Sequence, residues 1–109
     1  MEIDIEIYTK DNSLIFDLLE KKSAKRGDII NVSEDVKFVY KGTLIHFAVD
    51  IPSIIYATIK IGGGIAIGIV SAWLYDRLKG RAEKIKIDRT VIEVEEGEIR
   101  RIIEEKIRY

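Results

Sequence analysis

Acidic and isoleucine side chains alternate without interruption at the start of the chain, and this alternation constrains the fold more than any other feature of the sequence. The isoleucines are Ile3, Ile5 and Ile7, and the acids are Glu2, Asp4 and Glu6. Successive side chains of a β-strand point to opposite faces of its sheet, so the pattern predicts a strand over residues 2–8 with one buried face and one face in water. The same residues lack the basic region and the unbroken apolar run of a signal peptide, so we expect a cytoplasmic protein.

Length and composition are those of one soluble domain. A chain of 109 residues is long enough to bury one hydrophobic core and too short for two, which predicts a single domain over residues 1–109. Apolar residues make up 47% and charged residues 34%, a balance typical of a folded soluble protein. The net charge of −1 provides no overall attraction to nucleic acid or anionic lipid.

Hydrophobic periodicity beyond the first strand predicts an α+β fold. We expect a small sheet of β-hairpins packed on a central apolar helix and a C-terminal amphipathic helix, in the order βαββαββα. After the first strand, a helix over 14–27 and a hairpin of strands 36–40 and 43–49 are predicted. A helix then starts at about residue 53, breaks or kinks at the glycines 62–64 and continues as the central helix over 65–78. A hairpin of strands 84–88 and 90–95 and a helix over 97–108 follow. Residues 28–34 are a predicted connector. The first hairpin turns at Lys41 and Gly42, because glycine tolerates the positive φ of a tight turn.

Residues 51–75 form the most apolar segment and allow two interpretations. Asp50 and Pro52 are typical of a helix start, and the glycine triplet at 62–64 predicts a kink or a break, since each glycine costs about 1 kcal/mol inside a helix. In the first interpretation the segment is a buried core helix. Residues 43–49 then either form a strand before this helix or lead directly into it. In the second, residues 51–75 span a membrane, although Lys60 would then lie near mid-span at a cost of about 3 kcal/mol.

No group of residues in the sequence predicts catalysis, a cofactor or a metal site. Cysteine is absent, which excludes disulfides, thiolate zinc sites and thiol nucleophiles. The glycine-rich run lacks the Lys and Ser or Thr of a phosphate-binding loop, because Ile69 and Val70 follow Gly68. The single histidine, His46, is expected to be half-exposed and structural, and Ser71 to donate a hydrogen bond to its own helix. We therefore expect a protein without enzymatic activity.

Basic residues are densest around the end of the central helix and the hairpin that follows it. They provide the candidate interaction residues of the chain: Arg77, Arg81, Lys84, Lys86 and Arg89. Interspersed acids halve the net charge of this stretch, so it would bind a phosphate backbone weakly. The alternative is a network of surface ion pairs in a heat-adapted protein, which the absence of glutamine and the scarcity of asparagine also indicate. We expect a hyperthermophilic archaeon as the source.

The C-terminal half resembles the effector-associated constant component family. The matching residues are 63–77, which include Trp73 and Arg77, then 85–88 and 91–94, followed by the isoleucine-striped final helix. Members of that family are small adaptor-like domains encoded beside effector modules, such as proteases and nucleotidases, in prokaryotic conflict systems. The resemblance implies a helix rich in glycine and alanine, a two-stranded hairpin, a closing short helix, no enzymatic activity, and Trp73 as an anchor in the core.

The sequence contains no group of catalytic residues. Together with this absence, the resemblance predicts an interaction or adaptor module that binds an unidentified partner protein, such as an effector enzyme. The edge strands of a small sheet are commonly covered by a second copy, so we also expect a homodimer. Two alternatives stay open. One is a membrane-attached protein that spans with residues 51–75, and the other is a weak nucleic-acid-binding protein that uses the basic stretch 77–89.

Overall fold

The computed structural model of the chain describes residues 1–48, 50–62 and 66–107. Within these residues six strands form one antiparallel sheet beside three helices, so the predicted α+β class is confirmed. The strands are β1 (Glu2–Thr9), β2 (Ile29–Ser33), β3 (Val36–Leu44), β4 (Ser53–Ile61), β5 (Ala82–Ile87) and β6 (Thr90–Ile92). The helices are α1 (Leu14–Leu19), α2 (Ala66–Leu78) and α3 (Glu96–Ile107). The order is βαβββαββα, and the predicted order βαββαββα is wrong.

β1 lies inside the sheet, whose strand order is β2-β3-β4-β1-β5-β6. It pairs in antiparallel fashion with β4 on one side and with β5 on the other. Ile3, Ile5 and Ile7 are buried, whereas Glu2 and Asp4 are exposed. The strand predicted over residues 2–8 is therefore confirmed. Because its side chains alternate, it fixes which face of the sheet is covered.

The hydrophobic core lies between that face of the sheet and the helices. Buried residues of all three helices join the buried strand residues in one cluster. The helical members are Leu14, Ile15, Leu18, Leu19, Ala66, Val70, Leu74, Leu78, Ile99, Ile102 and Ile103. The opposite face of the sheet, which we call the open face, presents charged side chains such as Glu2, Lys37, Lys60 and Lys84 to solvent.

The helix predicted from residue 53 is wrong, because Ser53–Ile61 forms strand β4. The central helix predicted after the glycines is confirmed, since α2 covers Ala66–Leu78. Isoleucine and threonine dominate β4, and such β-branched residues pack well on a pleated surface. β4 is paired along its length with β1 on one side and with β3 on the other. Two ladders of backbone hydrogen bonds outweigh the local helix-start signal of Asp50 and Pro52.

The hairpin predicted from strands 36–40 and 43–49 is also wrong, because Val36–Leu44 is one continuous strand. Gly42 has a positive φ of 130°, as expected, but it lies in a β-bulge where the register with β4 shifts after Tyr40. A side chain there would place its Cβ 3.0 Å from Nε of Arg26. Residues 45–48 are outside the strands, and Val49 lies outside the described residues.

Two other boundaries differ from the prediction. The expected connector 28–34 contains β2, an edge strand that pairs with β3. α1 ends at Leu19 rather than at Gly27, because Glu20 takes a left-handed conformation with φ of 55° and its amide donates to the carbonyl of Phe16. Gly27 instead donates its amide to the carbonyl of Tyr40 at 2.7 Å, at the start of the β2–β3 ladder.

The glycine triplet separates a strand from a helix. β4 ends at Ile61, the amide of Gly62 donates to the carbonyl of Asp35 at 2.7 Å, and α2 begins at Ala66. A helix that continues through Gly62 is therefore not formed, whereas the predicted kink or break at Gly63 and Gly64 lies outside the described residues. In the described part of the chain, no helix has the length and apolar character needed to cross a membrane. The segment 51–75 combines β4 with part of α2, so its interpretation as a spanning helix is wrong.

The C-terminal third of the fold agrees with the sequence. β5 and β6 form the predicted hairpin, although β6 ends at Ile92 rather than at Glu95, and Asp88 takes a φ of 56° in its tight turn. α3 buries Ile99, Ile102 and Ile103, which are the apolar stripe of the predicted amphipathic helix. The predicted end of this helix at residue 108 lies outside the described residues.

Two phenylalanines provide a matched test of this core, because Phe38 is fully buried and Phe47 is 93% exposed. We expect Phe38→Ala to lower the free energy of unfolding by about 3–5 kcal/mol, since it removes a ring from the packed interior. Phe47→Ala should change it by less than about 0.5 kcal/mol. Guanidinium unfolding followed by circular dichroism measures both, and equal losses would show that the core is misplaced.

Candidate interaction surfaces

Arg77 and Arg81, two of the predicted interaction residues, tie the end of α2 to α1. Arg77 donates to the carbonyl oxygen of Asp17 and to the carboxylate of Glu20, both at 3.1 Å. Arg81 donates to the carboxylate of Asp11 at 2.7 Å and to that of Asp17 at 2.6 Å. Each guanidinium is therefore held by acceptors of this chain. These contacts add to the burial of Leu14 and Leu18 in the core, which holds the short helix α1 against the sheet.

Asp11 is the best-connected acid of this cluster. One of its oxygens accepts from both the amide and the hydroxyl of Ser13, at 3.0 and 2.6 Å, and the other accepts from Arg81. These hydrogen bonds, first from Ser13 and then from Arg81, lower the pKa of Asp11 below its ordinary value. In return, the two carboxylates of Asp11 and Asp17 raise the pKa of Arg81.

The remaining predicted residues lie elsewhere. Lys84 and Lys86 project from β5 on the open face, where Lys84 Nζ lies 4.9 Å from the centre of the Tyr8 ring and Lys86 Nζ lies 3.4 Å from Glu6. Arg89 is exposed in the turn between β5 and β6. The five residues are thus divided between the α1–α2 contact, the open face and a turn, and they do not form one basic patch.

Two side chains of α2 take the places that the sequence predicts. Ser71 is buried, and its hydroxyl donates to the carbonyl of Ile67 at 2.7 Å, one turn earlier. Trp73 is half-buried, and its ring packs against Phe38 with 5.4 Å between ring centres. Arg77 lies over the outer side of the indole at 5.7 Å, a cation–π distance. Trp73 therefore contributes to the core, as the family resemblance implies.

His46 holds the base of the connection between β3 and β4, residues 45–52, which we call the β3–β4 loop. Its amide donates to the hydroxyl of Ser53 at 3.0 Å, and its Nδ1 lies 2.7 Å from the carbonyl oxygen of Pro52. Because a carbonyl only accepts, Nδ1 carries a proton in this contact. The half-exposed imidazole thus closes the loop, in the structural role that the sequence predicts.

The β3–β4 loop exposes three large apolar side chains. Phe47 is 93% exposed, and Ile45 and Ile51 are 52% and 47% exposed. Leu44, the last residue of β3, is 48% exposed and extends this surface onto the sheet. Single exposed apolar residues are ordinary, but a contiguous group that includes an uncovered phenylalanine is typical of a binding surface.

A small cavity lies between this loop and α1. Its volume is about 180 Å³, and its apolar lining includes Ile15, Phe16, Ile45 and Ile55. Pockets for drug-sized ligands are usually about 300–1,000 Å³, so this one fits a single side chain better than a cofactor. The loop and the cavity together offer a projecting aromatic ring and an adjacent apolar depression.

A second apolar feature crosses the open face of the sheet. We call it the open-face stripe, and it consists of Ile29, Val39, Tyr56, Ile54, Leu44 and Tyr8. Ile29 and Val39, Leu44 and Ile54, and Ile54 and Tyr8 are cross-strand partners. Tyr56 lies on β4 between Ile54 and Thr58, the cross-strand partner of Val39. Burial, followed by the nearby Glu6 carboxylate, raises the pKa of Tyr8. The phenol therefore stays neutral at physiological pH.

Sequence reasoning missed the exposed loop. Residues 43–49 were assignable to a strand because they are β-branched and aromatic, which placed Phe47 in a sheet. The signal that could have revealed the loop is the position of Gly42 and Pro52 on either side of it, because glycine and proline commonly mark connections between strands. The segment between them is more apolar than an ordinary connection. The open-face stripe could not be predicted from the sequence, because its residues become neighbours only when β3 pairs with β4.

Among residues 1–48, 50–62 and 66–107, no group of three or more His, Asp or Glu side chains is arranged to hold a metal ion. Comparisons with protein-family models, curated proteins and solved structures found no match to this chain. The resemblance of the C-terminal half to the effector-associated constant component family therefore stays a prediction.

The lowered pKa of Asp11 predicts an acid-dependent loss of stability. Since the folded pKa lies below the unfolded value of about 4, the Asp11 contribution is fully present above that pH and is lost as pH falls through the folded pKa. Asp11→Asn should lower the free energy of unfolding at pH 7 by less than about 1 kcal/mol, because the site is partly exposed, and should weaken the dependence on pH below 4.

Urea unfolding at pH 7 and at pH 3 measures both effects. Asp76→Asn is the matched control, because Asp76 is more exposed and pairs only with Lys79 among the described residues. An Asp11→Asn chain that loses as much stability on acidification as the original chain would contradict the assignment.

Proposed function

We propose that this chain is a non-enzymatic protein-interaction module of adaptor type, and that it docks onto a partner protein through the β3–β4 loop. The observation that carries the proposal is the exposure of Phe47 at 93% in a segment that also exposes Ile45 and Ile51. Burying one such side chain in a partner contributes about 1.5–3 kcal/mol. The loop is therefore a plausible energetic centre for an interface.

The closure of the loop supports docking without a large ordering cost. The contacts of His46 with Ser53 and Pro52 fix both ends of the loop before any partner arrives. The amide of Ile51 also donates to the carbonyl of Ala48 at 3.2 Å. Binding then loses less conformational entropy than it would with an unrestrained loop. A phenylalanine presented in this way resembles the anchor residues that dominate many interfaces.

The chemistry of the loop favours a protein partner with an apolar groove. Residues 45–52 contain no Lys or Arg and include Asp50, so they lack the basic side chains that attract a loop to anionic lipid. Lys10, which lines a depression beside Phe47 and Ile51, is paired with Glu83 at 3.2 Å. The division of the basic stretch 77–89 likewise weighs against a phosphate backbone as the partner.

The resemblance of the C-terminal half supports the more specific proposal that the partner is an effector enzyme of a prokaryotic conflict system. In the described region, α2, β5, β6 and α3 follow each other in the order that the resemblance implies. These elements lie away from the β3–β4 loop in sequence. The loop would then be the part of this chain that selects its own partner on a shared scaffold.

A photoreactive phenylalanine analogue at position 47 tests the docking surface with little change in shape. Irradiation in a lysate of the source organism should produce a covalent adduct with one protein of defined mass. The same analogue at position 69, where Ile69 is 43% exposed on α2, should not produce it. Labelling of lipid, of nucleic acid, or of the same proteins from both positions would contradict the proposal.

Affinity for the captured partner then measures the role of the ring. Phe47→Ser should weaken binding by about 2 kcal/mol or more, as expected for a hot-spot residue, and Ile69→Ser should leave it unchanged. Isothermal titration calorimetry with purified proteins provides the comparison. Equal affinities of the Phe47→Ser and original chains would move the interface away from the loop.

A further inference from the structure

We propose that the open face of the sheet binds the open face of a second copy of this chain. The two copies are related by a two-fold axis that lies between the two sheets, parallel to the strands and level with the gap between β1 and β4. This surface is separate from the ring of Phe47. The inference therefore does not depend on the partner of the β3–β4 loop. Its support is the open-face stripe, the size of the face and the arrangement of charges on it.

The stripe places apolar surface where a one-sided sheet would ordinarily be polar. Ile29 and Leu44 are 47% and 48% exposed, and Val91 on β6 is 52% exposed on the same face. Tyr56 and Ile54, on the strand beside the axis, are half-exposed. Val39 is already 5% exposed, because its neighbours on the face surround it. A second sheet packed here would remove the whole stripe from water.

The face is large enough for a stable dimer. The six strands have three to nine residues each, 40 in total. At about 3.4 Å for each residue and about 4.8 Å between strands, they define a surface of about 650 Å². A typical stable interface buries about 800 Å² on each partner. The two edges are smaller targets, because β6 has three residues and β2 has five residues with an irregular register after Asn31.

Charge complementarity specifies the direction of the axis. A two-fold axis parallel to β1 and β4 places each β4 over the β1 of the other copy at the same level along the strands. Lys60 is the cross-strand partner of Glu2 within one sheet, and its Nζ lies 3.4 Å from the Glu2 carboxylate. Lys60 of each copy then also faces Glu2 of the other, so each charge lies between two opposite charges. At the opposite end of the same strands, the cross-strand pair Tyr8 and Ile54 packs against its own counterpart.

The pairs between these two levels are also compatible. Tyr56 is the cross-strand partner of Glu6, and Thr58 is that of Asp4. Across the axis, the phenol of Tyr56 would face the carboxylate of Glu6, and the hydroxyl of Thr58 would face the carboxylate of Asp4. The phenol of Tyr56 can donate across the axis, whereas the hydroxyl of Thr58 already donates to Asp4 of its own copy at 2.9 Å. These pairs bring no like charges together.

The same symmetry has a consequence for docking. Leu44 ends β3 and Ser53 begins β4, so the β3–β4 loop leaves the sheet at the end where Tyr8 and Ile54 lie. Because the axis is parallel to the strands, both loops of the dimer project from the same end. A dimeric partner would then engage two Phe47 rings at once, and the second contact would form at high effective concentration.

Reversal of single charges tests the proposed geometry. In Lys60→Glu the new carboxylate faces Glu2 of the other copy, and in Glu2→Lys the new ammonium faces Lys60. Each single variant should therefore weaken self-association at least about tenfold, because both symmetric pairs become repulsive. An equimolar mixture of the two variants should regain the original affinity, since each new charge meets its opposite across the axis.

Sedimentation equilibrium of the full chain measures these constants, and circular dichroism checks that each variant is folded. Ile69→Lys, on the exposed side of α2, is the control and should self-associate like the original chain. Ile54→Lys should also reduce self-association, and mixing it with either charge variant should not restore the original affinity. A monomeric original chain, single variants that dimerise normally, or a mixture that fails to regain affinity would overturn the proposal.

Discussion

Burial of the isoleucines of β1 is the interaction on which the rest of the structure depends. Ile5 and Ile7 are at most 2% exposed, and each such side chain contributes about 1.5–3 kcal/mol when removed from water. Since β1 pairs with β4 and β5, its covered face sets the covered face of both neighbours. The helices must then pack on one side of the sheet, and the acids of β1 must lie on the other.

This one-sided architecture explains where the proposed interaction surfaces lie. The core uses only one face of the sheet. The apolar stripe on the open face and the projecting β3–β4 loop therefore lie outside the core. Arg81 and Asp11, by contrast, serve the fold, because their 2.7 Å contact fixes α1 beside the end of α2. Surfaces that cost solubility without stabilising the core are the best candidates for binding.

Local signals decided which parts of the fold were predictable. The alternation of β1 and the hairpin of β5 and β6 are complete within a few residues, and both were predicted. β4 was mistaken for a helix because its identity depends on pairing with β3 and with β1, and β1 lies more than forty positions earlier in the chain. The candidate site shows the same limit. Arg77 and Arg81 were recognised as a basic group, but their acidic partners in α1 lie about sixty positions earlier.

The most direct test of this account is the solvent exposure of individual isoleucine methyl groups, measured by NMR with a soluble paramagnetic agent. The methyl signals of Ile45 and Ile51 should broaden strongly, whereas those of Ile5 and Ile7 should not change. Spectra recorded at low protein concentration report the exposure of the loop in the monomer, where self-association through the open face has no effect. Protected signals from Ile45 and Ile51 in a dilute sample would mean that the loop packs on its own domain, and would contradict its role as a docking surface.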